Sequence, residues 1–273
     1  MSTSIDGVKH IIAVASGKGG VGKSTTAMNL AVTLSVQGLN VGLLDADIYG
    51  PSQPRMMNVK GAKPESDGER MTPVVSNGVK VMSIGFLLEE DAPLVWRGPM
   101  VQSSLMQMLF QVNWGELDVL VLDMPPGTGD TQLSVAQKVA LSGAIIVSTP
   151  QDIALIDAKK GLNMFKKVDV PIIGFVENMS TFICPDCGSE SHIFGHGGAV
   201  KAAKDLNVDL LAKIPLDLDI RTKTDVGQPV VISMPDSAQA EIYRNLAVKV
   251  SDYLGAYEAS NSGPVKIIFE ESA

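Results

Sequence analysis

Ile11-Ile12-Ala13-Val14-Ala15-Ser16-Gly17-Lys18-Gly19-Gly20-Val21-Gly22-Lys23-Ser24-Thr25 decides the fold of this 273-residue chain. The apolar run at its start reads as a buried strand. The run behind it satisfies G-x-x-x-x-G-K-[ST], and residues 22–37 predict the helix that must follow, closed by Gly38. Glycines let backbone N–H groups turn inward around phosphates, and a helix N-terminus adds partial positive charge. Gly17, Gly19, Gly20, Val21, Gly22, Lys23, Ser24 and Thr25 are therefore expected to cradle a nucleotide such as ATP. Lys23 would reach the β/γ phosphates, and the Ser24 hydroxyl would ligate Mg2+.

Outward from this loop, strands and helices alternate. Further strands are expected at 41–45, 79–84, 117–123, 144–148, 172–176 and 210–214, and helices at 101–111, 131–140, 153–167, 199–205 and 237–253. Repeated β-α-β units predict an α/β fold, a doubly wound and mainly parallel sheet with helices on both faces. Residues 58–73 and 181–198 read as loops, residues 1–256 as one domain and 257–273 as a loose tail whose 265–269 stretch is able to dock as a strand. Met100 to Met108 has helical spacing, which predicts core packing.

Ligands of such sheets lie beyond the carboxyl ends of strands. Two acidic groups fall there: Asp45-Ala46-Asp47, and Asp123 at the head of Met124-Pro125-Pro126-Gly127-Thr128-Gly129-Asp130. Asp123 fits the carboxylate that supports Mg2+, Asp45 a second support, and Asp47 the group that orients the attacking water. Asp130 reads as a helix cap. Asn178 follows the 172–176 strand, where its amide matches the N6/N7 edge of adenine.

The net charge is −8, 45% of residues are hydrophobic and 19% are charged. An acidic chain repels phosphate-rich surfaces, so neither nucleic acid nor an anionic membrane is an expected partner. No apolar run is long enough to span a bilayer, and the first residues resemble no secretory signal. The only cysteines, Cys184 and Cys187, form a C-x-x-C knuckle completed by Gly188, which rules out a disulfide framework. Two thiolates are half of a four-ligand set. A symmetric dimer supplies the rest and holds one [4Fe–4S] cluster, or His192 and His196 complete a local zinc site; on the residues alone these readings stand level.

The loop carries a second lysine, Lys18, which the plain motif does not require. This form resembles the deviant Walker A ATPases, which include MinD, ParA and the nitrogenase iron protein. The resemblance implies that Lys18 crosses a dimer interface to the partner's nucleotide. It also implies an adenine pocket lined by Asn178 and the Ile214-Pro215-Leu216 segment. The set formed by the loop, 45–52, Val95-Trp96-Arg97-Gly98, 123–130, 148–152, Asn178-Met179-Ser180, 184–187 and Ile193-Phe194-Gly195 resembles the Mrp/ApbC/NUBPL family of iron–sulfur cluster carriers over residues 8–253. That implies an ATP-hydrolysing homodimer with Cys184 and Cys187 as cluster ligands, Phe182 and His192 packed beside them, and apo client proteins and a cluster donor as partners. The contrasting reading is a MinD/ParA-like positioning ATPase with a structural zinc knuckle. Many bacterial members carry a small extra N-terminal domain; the expectation here is a short or trimmed form. The acidic composition points to a bacterial cytoplasm, with the mitochondrial matrix as the alternative.

Overall fold

The computed structural model describes residues 2–87 and 98–261. Its strands are β1 (Val8–Ala15), β2 (Val41–Asp45), β3 (Glu65–Ser66), β4 (Met71–Thr72), β5 (Val74–Ser76), β6 (Val79–Ser83), β7 (Leu117–Asp123), β8 (Gly143–Ser148), β9 (Ile172–Ile183), β10 (Glu190–Ser191) and β11 (Leu210–Leu216). The helices are α1 (Lys23–Val36), α2 (Gln53–Met56), α3 (Gly98–Phe110), α4 (Asp130–Lys138), α5 (Asp152–Lys167), α6 (Gly198–Leu206), α7 (Leu218–Asp225), α8 (Val230–Ser233) and α9 (Ala238–Asn261).

The sheet runs β5-β6-β2-β7-β1-β8-β9, with β11 parallel to β9 and β10 antiparallel to its last residues. Every pairing from β6 through to β11 is parallel. Parallel strands covered on both faces must be apolar throughout, and β2 and β8 are buried at every position. Helices α1, α8 and α9 pack together, while α3 to α6 form a second chain of contacts, so two helical layers enclose the sheet. The doubly wound expectation therefore holds.

β1 lies between β7 and β8, although the chain leaves it for β2. Successive connections diverge there and leave a crevice at its carboxyl end. The glycine-rich loop fills that crevice. The register pairs Asp123 with both Val14 and Asp45, so the two strand-end carboxylates arrive side by side.

Several expectations change. The strand expected to stop at Val176 continues to Ile183, because β11 still pairs with it after β8 has ended, and β10 makes the expected 181–198 loop partly a hairpin. Helix α9 runs on to Asn261, past the expected start of the tail at Tyr257; Tyr257 sits edge-on to His10 with ring centroids 6.1 Å apart. Asp130 opens α4 rather than capping it, since Gly129 holds the cap position. Of the methionines in α3, Met108 is buried and Met100 exposed, so only part of that stripe is core. Trp96, Arg97 and the 265–269 stretch lie outside the described residues.

Candidate nucleotide site and cysteine hairpin

The loop is shaped by two glycines for which a side chain has no room. A Cβ on Gly17 would fall 2.2 Å from the backbone of Asp157 in α5. Gly22 has φ +83°, and a Cβ there would lie 2.0 Å from the Asn178 amide. Around them a cavity of about 230 Å3 opens, walled in part by Gly20, Lys23, Ser24, Thr25, Asp47 and Pro126. Gly19 and Gly22 line it as well, so most of the expected phosphate-binding residues converge.

Lys23 Nζ lies 2.5 Å from Asp123 Oδ1 and 3.1 Å from the Ser24 hydroxyl. The pair is deeply buried, with side-chain exposures of 7% and 0%. Gln53 completes it by donating from Nε2 to Asp123 Oδ2 at 2.8 Å and to the Ser24 carbonyl at 3.1 Å. Gln53 Oε1 is buried without a partner. Sequence reasoning missed Gln53, because a glutamine in a short helix after a loop carries no motif signal.

Asp45, expected near Mg2+, is fully buried behind Asp123. Its Oδ2 accepts from Ser52 N at 2.9 Å, Gln53 N at 3.0 Å and the Ser83 hydroxyl at 3.1 Å, and its Oδ1 from Asp47 N at 3.2 Å. This carboxylate folds the 47–53 segment back over the site. Burial first, and the neighbouring Asp123 carboxylate second, push it up to about 7. Burial also raises Asp47, against the pull of Lys23.

A carboxyl raised above its unfolded value of 3.8 binds its proton more tightly in the fold. Its contribution to stability is fully present below that value and is lost as pH rises through about 7. Ligand-free protein is therefore expected to melt lower at about pH 8 than at about pH 6, with a flatter dependence in Asp45→Asn. Asp45→Ala is expected to cost about 3 kcal/mol, since it strands buried N–H and O–H donors. Thermal unfolding across that pH range checks both.

The remaining residues stand around this centre. Lys18 Nζ is 3.4 Å from Gln151 Oε1 at the start of α5. Asn178 Nδ2 donates to the Val21 carbonyl at 2.8 Å, so its amide braces the loop. Pro215 lines a separate cavity of about 300 Å3, together with Glu177, Ser180, His192, His196 and Lys213. Backbone bonds tie the post-strand segments to the centre: Gly127 N to the Ser16 carbonyl at 3.0 Å and Ala46 N to that of Asp123 at 2.9 Å.

Cys184 and Cys187 sit on the turn between β9 and β10. The turn is closed by Gly188 N bonding the Cys184 carbonyl at 2.9 Å and Cys184 N bonding the Ser189 carbonyl at 3.0 Å. Cys187 is exposed and Cys184 half-buried. The Ser189 hydroxyl lies 3.2 Å from Cys187 Sγ, and hydrogen bonding from Ser189 lowers the Cys187 thiol below its ordinary value, toward the thiolate that binds metals. Phe182 pairs with Ser191 at the base of the hairpin. The His192 and His196 rings lie tilted against each other, with centroids 4.2 Å apart and an interplanar angle of 59°. Among the described residues, no three His, Cys, Asp or Glu side chains are grouped to hold a metal ion.

A parallel sheet whose first strand feeds a glycine-rich loop, with a buried Lys–Asp pair behind that loop, defines a P-loop NTPase. The family model described as ParA, NUBPL iron-transfer P-loop NTPase, matches residues 7–251, and the chain belongs to that family. It is 57% identical over 248 residues to the mouse "Iron-sulfur cluster transfer protein NUBPL", covering 90% of this chain and 78% of that protein. It is 55% identical over 251 residues to the "Iron-sulfur cluster carrier protein" of Escherichia coli K12, covering 92% and 68%. Among solved structures, a nucleotide-binding protein from Archaeoglobus fulgidus in complex with ADP superposes with a TM-score of 0.75 at 38% identity, covering 87% of this chain and 93% of that one. Among the described residues, no helix is long and apolar enough to cross a membrane.

Proposed function

We propose that this chain is an ATP-dependent carrier of [4Fe–4S] clusters. Two copies hold one cluster between their Cys184–Cys187 pairs, take it from a donor protein and pass it to apo iron–sulfur clients, with slow ATP hydrolysis as the switch. The observation that carries this reading is the lone cysteine pair. It stands on an exposed hairpin with no third ligand grouped beside it among the described residues, so a four-thiolate set needs a second copy. Exposed apolar side chains support the pairing. Tyr49, Ile153 and Leu218 each follow the carboxyl end of a parallel strand and Ile183 ends β9 itself, so they share the edge that bears the phosphate loop and the hairpin. The names of the mouse and E. coli relatives agree with the cargo.

In this reading the loop amides cradle the phosphates, and Lys23 exchanges Asp123 for phosphate oxygens. Lys18 leaves Gln151 for the partner's nucleotide. Asn178, still bracing the Val21 carbonyl, offers the rest of its amide to the adenine edge, and Pro215, next to the Ile214 that pairs with Asn178, borders that pocket. The Ser24 hydroxyl, backed by Asp123 and Asp45, would hold Mg2+, which would neutralise phosphate charge; the unpartnered, buried Gln53 Oε1 beside Asp123 leaves polar capacity there that such a group would use. Asp47 lines the cavity and orients the attacking water, and burial raises its carboxyl, which makes it a stronger base for that water's proton. Water adds to the γ-phosphorus, and the bond to the β-bridging oxygen breaks to release ADP and phosphate.

Iron, sulfide and zinc in anaerobically purified protein, with the mass of the same sample, test the proposal. About four iron and four sulfide per two chains are expected. One zinc per chain, with no cluster on reconstitution, would overturn it.

A further inference from the structure

Strand β9 is held by β8 on one side only as far as Glu177, the residue opposite Ser148. Beyond that point its partners are β11, which pairs Ile214 with Asn178 and Leu216 with Phe182, and the short β10. At the place where β8 lets go, two consecutive side chains fasten the strand to different bodies. Asn178 donates to the Val21 carbonyl of the phosphate loop at 2.8 Å. Glu177 is 2% exposed, and its Oε2 accepts from Ala199 N in the first turn of α6 at 3.1 Å. Met179 follows with φ +56°, a left-handed conformation that costs a side-chain-bearing residue energy and is held by its surroundings. The next residue, Ser180, anchors the strand again by donating to the Ile214 carbonyl at 3.1 Å.

The cysteine hairpin lies between these fastenings. Its outgoing limb is the extension of β9, the five residues from Met179 to Ile183 that lead into Cys184. Its returning limb ends at Gly197 and Gly198, where α6 begins under the Glu177 carboxylate. Gly198 is pressed close to Pro150 and Leu155, where an added Cβ would lie 2.7 Å from the Pro150 carbonyl oxygen and 2.6 Å from the Leu155 side chain, so that end has little freedom. The outgoing end is tied, through the Val21 carbonyl, to the loop proposed to take up phosphate.

We infer that Glu177 and Asn178 are positioning residues that couple the phosphate loop to the cysteine pair, Glu177 fixing the returning limb while Asn178 moves the outgoing limb with the loop. Neither touches the reacting atoms in this role. A shift of Val21 on phosphate binding draws or releases Asn178, and the left-handed Met179 converts that shift into a change of direction for the strand leading to Cys184. The inference deepens the carrier reading, because it concerns how nucleotide regulates the residues proposed to hold the cluster.

The test uses the cluster-free protein, so it does not depend on cargo. Iodoacetamide alkylation of Cys184 and Cys187 is followed by mass spectrometry with and without saturating MgATP, and nucleotide affinity is measured on the same samples. In the wild type, nucleotide is expected to change the alkylation rate about fivefold, the scale of an ordinary coupling between sites. Asn178→Ala should bind nucleotide at raised concentration yet lose most of that change. Glu177→Ala should raise the rate with or without nucleotide, and Glu177→Gln, whose amide oxygen still accepts from Ala199, should restore wild-type behaviour. If Asn178→Ala fails to fold by circular dichroism, Asn178→Ser, too short to reach Val21, replaces it. A wild-type rate indifferent to bound nucleotide would overturn the inference, as would a full response at saturation in the Asn178 variant. Iron content, measured separately, reports on the carrier reading whatever the alkylation rates show.

Discussion

Lys23→Ala is expected to lose at least about 100-fold in nucleotide turnover, the usual cost of removing a charge that meets the developing phosphate charge. The structure adds a second cost that the motif alone does not announce. Lys23 is the cation against the fully buried Asp123, and breaking such a pair leaves an uncompensated carboxylate. The variant should therefore be less stable than the wild type by about 3 kcal/mol, because Gln53 still donates to the other Asp123 oxygen. The two costs separate experimentally. Combining Lys23→Met with Asp123→Asn removes both charges and should recover most of the thermal stability while turnover stays lost. Full turnover in Lys23→Ala would contradict the site assignment. An unchanged melting temperature would contradict the importance of the buried pair.

The second large effect concerns the cargo. Cys184→Ser and Cys187→Ser are each expected to hold less than about a tenth of the wild-type iron after reconstitution, since each variant leaves two copies able to offer only two of four thiolates. Serine is a poor substitute because its hydroxyl is harder and far less acidic than a thiol. Nucleotide turnover should persist in both, because neither cysteine lines the phosphate cavity. Iron and acid-labile sulfide, measured beside phosphate release, check the two halves of the prediction. Normal cluster content in either variant would move the ligands elsewhere.

Most of the sheet was legible because a buried parallel strand has a distinctive composition. Leu117 to Asp123 and Val41 to Asp45 are near-continuous apolar runs that end in a carboxylate, and both form the strands they suggest. The phosphate loop was legible for a different reason. Its glycines answer to backbone geometry, and that requirement leaves few sequences free. What stayed hidden depends on contacts between distant segments. Nothing in residues 177–183 distinguishes a strand that ends from one that continues; β11, some thirty residues later, decides it. Asp45 reads as a metal carboxylate by position, yet its neighbours Ser52, Gln53 and Ser83 employ it as an acceptor for their own N–H and O–H groups. Asn178 shows the same limit. Its chemistry suits a base edge, and only the fold reveals that the Val21 carbonyl lies within its reach.

The returning limb of the hairpin that bears Cys184 and Cys187 is paired through only two residues of β10, Ser191 opposite Phe182 and Glu190 opposite Ile183. The central ladder of β7, β1 and β8 is locked over much longer stretches and sealed from water. Opening the hairpin thus breaks a small local unit and leaves the cooperative core intact. A protein arranged in this way separates the labour of lasting from the labour of letting go. The part that survives repeated use is the interior, and the part that opens is an outboard flap joined to that interior at Glu177 and Asn178.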